Sequence, residues 1–193
     1  MRRFWPALPV AGLLLLGGLP LLFSARTDYA SVQHKFDLIE GDRLKPGSRV
    51  TLTERELNAY AVEEIPKVVP EGVRNPQLQL GNGSATGSAL VDFLKLRSGR
   101  GEPPGWLARQ LLAGERPVTV TARINSGGGR ATVNIESVQV SGVTIEGRML
   151  DFLIQNYFLP YYPDAKIGQP FEMSHHIDRL DIQPSRVDVI LQR

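Results

Sequence analysis

The longest apolar stretch of the chain lies near its start, where residues 5–23 follow a pair of arginines and contain no charge. About 20 apolar residues are enough for a helix to span a bilayer. A cleaved export signal needs small residues before its cleavage site, but Phe23 and Asp28 occupy the −3 positions of the two candidate cuts. The pattern therefore predicts an uncleaved membrane anchor over residues 1–25, with secretion after signal cleavage as the alternative.

The charges beside this anchor predict its orientation. Arg2 and Arg3 precede the apolar segment, and positively charged flanks stay preferentially in the cytoplasm. This places residues 26–193 outside the cytoplasm of a bacterium, held at the inner membrane of the cell envelope. A twin-arginine export signal fits less well, because the basic start is short and Phe4 and Trp5 follow it directly.

The segment after the anchor, residues 26–49, is polar and weakly periodic, and we interpret it as a stalk with room for an edge strand at Val32–Ile39. Thr53 and Glu56 then have the spacing of a capping box, in which each side chain bonds the backbone N–H of the other residue. Apolar residues at helical spacing follow, so we expect a short helix that ends at Pro66.

Beyond Pro70 the apolar period changes to two, which is typical of half-buried strands. Tight turns separate the alternating segments into hairpins, most clearly at Asn82-Gly83. The apolar parity reverses near Glu136-Ser137, and this predicts a β-bulge. The predicted strands are Val73–Leu80, Ala85–Leu96, Val118–Asn125, Ala131–Val140, Leu180–Ile182 and Val187–Leu191.

Two further helices are predicted between these strands, a short one at Pro104–Ala113 and a longer one with a broad apolar stripe at Glu146–Leu159. Because consecutive strands are joined by tight turns, we expect antiparallel pairing. The predicted fold class is α+β: a curved antiparallel sheet packed on or wrapped around one long helix, with two shorter helices and an N-terminal membrane-spanning helix. The predicted division is an anchor at 1–25, a stalk at 26–49 and one exported domain at 50–193.

Composition excludes several classes of function. The chain has 22 basic and 20 acidic residues, and two of the basic residues belong to the anchor, so the exported part is neutral. A neutral domain lacks the basic field that nucleic-acid binding requires. The absence of cysteine rules out disulfides, thiol catalysis and thiolate metal sites. We therefore expect a domain stabilised by its core and without a nucleic-acid partner.

No motif in the chain points to catalysis, a metal or a cofactor. His34, His175 and His176 are the only histidines, and adjacent strand residues point to opposite faces, so the neighbouring pair does not predict a metal site. The glycines at 81–87 have the wrong spacing for a phosphate loop, and a strand follows them instead of a helix. A Gly-x-Ser-x-Gly nucleophile motif is absent, and no spacing selects a carboxylate pair. We expect a protein that is not an enzyme and has no metal or cofactor.

Aromatic residues concentrate in one short segment, since five of the twelve Phe and Tyr residues fall between positions 152 and 162. Ordinary core packing of the predicted long helix explains such a cluster. A cleft between that helix and the curved sheet explains it as well, because aromatic rings with a polar tip suit a boundary between water and apolar matter. In this second interpretation the candidate ligand-binding residues are Leu150, Ile154, Tyr157, Phe158, Tyr161 and Tyr162.

Several segments together resemble a known group of proteins. Residues 52–58, with the sequence Leu-Thr-Glu-Arg-Glu-Leu-Asn, open the short helix, and Gly142–Gly147 leads into the longer one. A strand pair follows at Ile177–Ile182 and Val187–Leu191. With the anchor, this layout resembles bacterial membrane-anchored domains of unknown function related to tubular lipid-binding proteins. The resemblance implies association with lipid or an envelope polymer and supplies no catalytic residue.

The sequence is compatible with two functions of different classes. The first is a membrane-anchored extracytoplasmic domain that binds lipid or another apolar envelope ligand in a cavity and has no catalytic activity. The alternative is an envelope scaffold or protein-interaction module with a solid core, which recruits an envelope protein through an apolar patch or a free sheet edge. An enzyme ranks below both.

Overall fold

The computed structural model describes residues 19–69, 72–98, 113–162 and 165–193. Its helices are α1 (Leu19–Glu40), α2 (Glu54–Val68), α3 (Phe93–Ser98) and α4 (Gly147–Leu153), and a π-helical turn at Ile154–Phe158 follows α4 directly. Its strands are β1 (Arg49–Thr53), β2 (Val73–Leu80), β3 (Ser84–Val91), β4 (Arg116–Gly127), β5 (Arg130–Val140), β6 (Val143–Thr144), β7 (Phe171–Glu172), β8 (Ile177–Gln183) and β9 (Arg186–Leu191).

The strands form two antiparallel sheets, which confirms the α+β class. The smaller sheet has the order β1-β9-β8, and the larger has the order β2-β3-β4-β5-β6, with β7 also paired to β5. Ser126 joins the two sheets, because its hydroxyl accepts a hydrogen bond from the Leu180 N–H at 2.8 Å and donates one to the Leu180 carbonyl at 3.1 Å. The C-terminal strand pair is thereby fixed to the long hairpin of the larger sheet.

The first helix, α1, belongs to the core of the smaller sheet. The predicted edge strand at Val32–Ile39 is wrong, since Tyr29, Val32, Phe36 and Ile39 recur at steps of three and four residues and share one helical face. Residues 26–40 of the predicted stalk are therefore helical, and residues 41–48 connect this helix to β1. The division into anchor, stalk and domain stays a prediction. The buried members of this cluster are Val32, Ile39, Leu52, Val189 and Leu191.

Helix α2 begins where its capping box predicts. The Glu56 N–H donates to the Thr53 hydroxyl at 3.2 Å, and the Thr53 N–H donates to the Glu56 carboxylate at 2.8 Å. The helix does not end at Pro66 as predicted but continues to Val68. Pro66 removes one intrahelical hydrogen bond, but the Val69 N–H still donates to the Ile65 carbonyl at 2.8 Å.

The side chains of α2 also cover the edge of the larger sheet. The Asn58 amide donates to the Leu78 carbonyl at 2.8 Å and accepts from the Leu78 N–H at 2.7 Å. The Glu54 carboxylate accepts from the Leu80 N–H at 2.7 Å. These bonds replace the neighbouring strand that an edge strand lacks, so β2 presents fewer unpaired groups to a partner chain.

The predicted hairpins β2–β3, β4–β5 and β8–β9 are confirmed. The predicted bulge is confirmed too, because Thr121 pairs with Ser137 while Ala122 pairs with Ile135, which leaves Glu136 as the extra residue. Strand β3 ends at Val91 and not at Leu96. The Asp92 carboxylate accepts from the N–H groups two and three residues on, both at 3.1 Å, and so caps the short helix α3 instead.

The predicted long helix at Glu146–Leu159 is wrong in its length. Helix α4 has seven residues, and the five-residue π-helical turn then continues to Phe158, with the Leu159 N–H bonded to the Ile154 carbonyl at 2.9 Å. The larger sheet therefore does not wrap around a single long helix. The π-helical turn is wider than a regular helical turn, and Tyr157 is its buried residue.

The remaining helical predictions fall largely outside the described residues. The anchor at 1–25 is described only from Leu19 onward, and Pro104–Ala113 lies almost wholly in the undescribed segment 99–112. Among the helices that the structure describes, none is both long enough and apolar enough to cross a membrane.

Candidate functional site

One face of the larger sheet carries a continuous row of small and aliphatic side chains. Leu78, Gly87, Val120 and Val138 are register partners across four adjacent strands, so they lie side by side on the same face. Ala89 and Val118 form the next row. All of these residues line one cavity.

Helical segments close this cavity over the sheet face. Ala61 and Ile65 come from α2, and Phe93 and Leu96 come from α3. Further lining residues come from α4, from the π-helical turn and from the segment that follows it. The cavity has a volume of about 480 Å³. Sites for small molecules have volumes of roughly 300–1,000 Å³, so the cavity is large enough to hold a ligand.

The opposite face of the same strands is polar. Thr86 and Thr119 alternate in sequence with the cavity residues and line a separate groove, across which Arg55 and Asp28 form an ion pair at 2.9 Å. Alternation along each strand thus divides the sheet into an apolar side and a polar side. The apolar side is the one that the short helices cover.

Gly87 leaves a gap in the cavity wall. Its φ is not in the positive range, so the backbone does not require glycine at this position. A Cβ atom placed there would meet no atom of the described residues within 4 Å. Glycine inside a strand often marks a place where another group approaches the backbone closely. The absent side chain at Gly87 therefore creates free volume, and neither conformation nor packing accounts for it.

All six predicted ligand-binding residues line this cavity. Tyr157 is 7% exposed, whereas Phe158 and Tyr162 are about 40% exposed at the mouth, where their ring centroids lie 5.1 Å apart. Whether these residues contact a ligand stays a prediction. The full set from the sequence analysis is Leu150, Ile154, Tyr157, Phe158, Tyr161 and Tyr162.

The lining is almost wholly apolar. No charged side chain is among the described residues that line the cavity, and its polar members are Gln77, Ser88 and three tyrosines. The Tyr161 hydroxyl donates to the Leu96 carbonyl at 2.8 Å, which connects the turn after the π-helical segment to α3. The Tyr157 hydroxyl is buried and has no hydrogen-bond partner within the part of the chain that the structure describes. Such a lining selects an apolar ligand, since a charge inside it would lose its hydration without compensation.

The sequence indicated a cleft beside the sheet but did not identify the strand residues that line it. The signal was present in β3, where Gly87 and Ala89 occupy alternate positions on one face and are too small to fill a core. Knowing which neighbours face these small residues requires the strand register, and the sequence alone does not supply it.

Histidines and most carboxylates lie away from the cavity. His175 and His176 are exposed residues of a turn with φ near +55°, not strand residues, and the His176 ring nitrogen Nδ1 lies 3.3 Å from Asp42. His34 is exposed on α1. Across the described residues, no three His, Asp or Glu side chains are grouped so as to hold a metal ion.

Two carboxylates are buried beside the smaller sheet, and both are paired. Asp188 accepts from the Thr51 hydroxyl at 2.5 Å. Glu56 accepts from Lys35 at 2.6 Å and from the Ser31 hydroxyl at 2.5 Å, in addition to the Thr53 cap. Burial alone would raise the pKa of Glu56, but the bonds from Lys35, Ser31 and Thr53 outweigh it and lower the pKa to about 2. Glu56 therefore connects α1 and α2, and Asp188 connects β9 to β1.

Comparisons with known proteins leave the family open. A scan against protein-family models and a search of the curated proteins gave no match. Among solved structures, a crystal structure of lipopolysaccharide binding protein is similar, with a TM-score of 0.23 and 14% identity over 75% of this chain and 40% of that chain. The chain thus spans less than half the length of that protein. Such a TM-score does not establish a common fold, and the resemblance to domains related to tubular lipid-binding proteins stays a prediction.

Proposed function

We propose that this protein is a membrane-anchored extracytoplasmic domain that binds a lipid or another apolar envelope ligand in its cavity and has no catalytic activity. The observation that carries the proposal is a 480 Å³ cavity whose described lining has no charged side chain. Burial of apolar surface yields about 25 cal/mol per Å², so an aliphatic ligand gains its affinity from this lining without any specific polar contact.

The volume of the cavity suggests a ligand size. The volume of about 480 Å³ lies in the lower part of the range of roughly 300–1,000 Å³ for small-molecule sites. This size favours a ligand with a single acyl chain or a short isoprenoid. A ligand with several chains would leave part of its apolar surface in water.

The surroundings of the mouth support delivery from a membrane. Phe158 and Tyr162 are exposed at the mouth of the cavity. Met149 and Phe152, on the helix α4 that precedes them, are also strongly exposed. Exposed aromatic side chains favour the boundary between lipid and water. Together with the apolar segment of residues 1–25, this is consistent with a domain held beside the outer face of the inner membrane. The interaction-module alternative requires a solid core, and the cavity does not support it.

The test compares two glycine variants of the full chain, produced in a bacterial envelope and kept in amphipol so that detergent does not fill the cavity. Gly87→Leu places a side chain in the cavity. The matched control is Gly127→Leu. Gly127 is also a strand glycine of the larger sheet, its φ is not positive, and a Cβ atom placed there would meet no described atom within 4 Å. Unlike Gly87, it does not line the cavity. Native mass spectrometry with lipid extraction measures the ligand carried by each protein.

We expect a stoichiometric lipid on the wild type and on Gly127→Leu, and about tenfold lower occupancy on Gly87→Leu, since overpacking a site costs about 1–3 kcal/mol. Circular dichroism must show that all three proteins are folded. Equal lipid on all three would place the ligand outside the cavity. A wild type that stays free of ligand after incubation with envelope lipids would refute the proposed function.

A further inference from the structure

Helix α4 is apolar on two sides. Leu150 and Leu153 line the cavity, so they account for one of these sides. Met149 and Phe152 are three residues apart and share another side, and neither of them lines the cavity. They are 56% and 41% exposed, although a surface helix normally carries polar residues on the side that faces water. The outer side of α4, formed by Met149 and Phe152, is therefore apolar without being buried by the domain.

The outer side of α4 is continuous with the mouth of the cavity. The Phe152 ring packs on Tyr157, with centroids 6.1 Å apart and an interplanar angle of 68°. Phe158 follows Tyr157 directly and pairs with Tyr162 at the mouth. Monomeric soluble proteins rarely expose a large contiguous apolar patch, and such patches mark membrane or protein interaction sites. The exposed side chains around the mouth therefore indicate an interaction surface.

The position of α1 indicates what meets this surface. Lys35 of α1 bonds Glu56, near the start of α2, at 2.6 Å. Lys67, near the end of α2, donates to the Tyr29 hydroxyl of α1 at 3.3 Å. The two helices are therefore antiparallel, and α1 begins at the C-terminal end of α2.

The same end of α2 contacts the cover of the cavity. Val69, directly after α2, packs in one cluster with Phe93 and Tyr157, and Tyr157 contacts Phe152. Leu19, the first residue of α1, belongs to the apolar segment 5–23 of the predicted anchor. The predicted anchor thus joins the domain at the end of α2 that contacts the cavity cover, and it keeps a bilayer within reach of this surface.

The charges on α4 suit contact with lipid of any headgroup. The helix carries one basic and one acidic side chain, Arg148 and Asp151, so it has no net charge. Attraction to anionic headgroups therefore does not drive the contact. Burial of apolar side chains at the boundary between headgroups and acyl chains is sufficient to hold a short helix there.

We propose that the outer side of α4 inserts into the outer leaflet of the membrane that holds the predicted anchor. This inference rests on the proposed function and names the partner of its site, which is the bilayer surface itself. The mouth of the cavity then opens onto lipid, with Phe158 and Tyr162 at the boundary with water, where aromatic side chains are favoured. A lipid enters the cavity from the leaflet without crossing water.

The absence of cysteine allows a single-cysteine test on the full chain. Met149→Cys places an environment-sensitive nitrobenzoxadiazole dye on the outer side of α4. The control is Asn82→Cys, since Asn82 is exposed in the β2–β3 turn, two residues after Leu80, whose N–H bonds Glu54 at the opposite end of α2. Both proteins are placed in phosphatidylcholine nanodiscs, with or without lipid that carries a nitroxide quencher on its acyl chain.

We expect the dye at position 149 to lose most of its fluorescence when the nitroxide lipid is present. Its emission without quencher should lie at a shorter wavelength than that of the dye at position 82, which should not be quenched. Because α4 has no net charge, the quenching should be equal at low and at high salt. Circular dichroism must show that both labelled proteins are folded.

Three results would overturn the inference: no quenching at position 149, equal quenching at both positions, or quenching at position 149 that disappears at high salt. A chain that does not co-purify with nanodiscs would overturn it as well. The lipid carried in amphipol tests the proposed function separately. If that lipid is present and the dye at 149 is not quenched, only this inference fails. If the dye is quenched and no lipid is carried, the contact with the bilayer stands and the proposed function fails.

Discussion

The buried carboxylate of Glu56 should determine how firmly α1 is held to the rest of the domain. It receives hydrogen bonds from Lys35 at 2.6 and 2.8 Å, from the Ser31 hydroxyl at 2.5 Å and from the Thr53 N–H at 2.8 Å. Lys35 and Ser31 belong to α1, whereas Glu56 belongs to α2. Glu56→Gln preserves the shape of the side chain, removes its charge and turns an amide group toward the Lys35 ammonium.

The magnitude follows from the pKa of Glu56. A pKa of about 2, against an ordinary value of 4.5, corresponds to about 3 kcal/mol of stability at neutral pH. The side chain of Lys35 is 27% exposed and can recover part of its hydration, so we expect Glu56→Gln to cost about 2–3 kcal/mol. In a domain of this size that loss lowers the melting temperature by about 5–10 °C.

The pH dependence distinguishes an ionic contribution from a packing defect. Because the pKa of Glu56 is lower in the folded state than in the unfolded state, its stabilisation is complete above about pH 4.5 and is lost as the pH falls toward 2. The melting difference between wild type and Glu56→Gln should be constant from pH 6 to 8 and about half as large near pH 3.

The assay is thermal unfolding of the full chain followed by circular dichroism, with Glu63→Gln as the control on the same helix. Glu63 is exposed, and we expect its substitution to change stability by no more than about 0.5 kcal/mol. Two results would refute the ionic explanation. In the first, Glu56→Gln lowers the melting temperature as much at pH 3 as at pH 7. In the second, Glu56→Gln lowers it at pH 7 no more than Glu63→Gln does.

Two further substitutions test the walls of the cavity. Asn58→Ala removes both hydrogen bonds to the backbone of Leu78, and we expect it to lower the free energy of unfolding by about 1–3 kcal/mol. Thermal unfolding measures this change. An unchanged stability would show that α2 does not hold the edge of the sheet through Asn58. Ile154→Trp should fill the cavity and abolish lipid co-purification while the domain stays folded by circular dichroism. If Ile154→Trp unfolds the protein instead, the position is ordinary core, since overpacking costs about 1–3 kcal/mol.

Local signals in the sequence predicted much of the fold correctly. The Thr53 and Glu56 capping box starts α2, and the apolar alternation locates the three hairpins. The reversal of parity near Glu136 predicted the bulge. These features depend on interactions within a few residues or across one tight turn, so the nearby sequence contains the information that they require.

Other elements were predicted wrongly because distant contacts decide them. The α1 segment is only weakly amphipathic and reads as a stalk, yet packing of Val32 and Ile39 against the smaller sheet holds it as a helix. In the segment 146–159, a broad apolar stripe indicates a regular helix. The structure has a wider π-helical turn there instead of a regular helix, as the hydrogen bond from the Leu159 N–H to the Ile154 carbonyl shows. Tertiary packing outweighs local helical preference in such segments.

The candidate site also has features that the nearby sequence determines and features that distant contacts determine. The sequence by itself determined the apolar N-terminal segment, the cap, the hairpins and the aromatic cluster of 152–162, because composition and short-range periodicity encode them. Only the tertiary structure decided that Gly87 faces this cluster across a cavity and that the Tyr157 hydroxyl is buried without a partner among the described residues. Free volume and unpaired polar atoms depend on which residues meet, and that depends on strand register and helix placement over the whole domain.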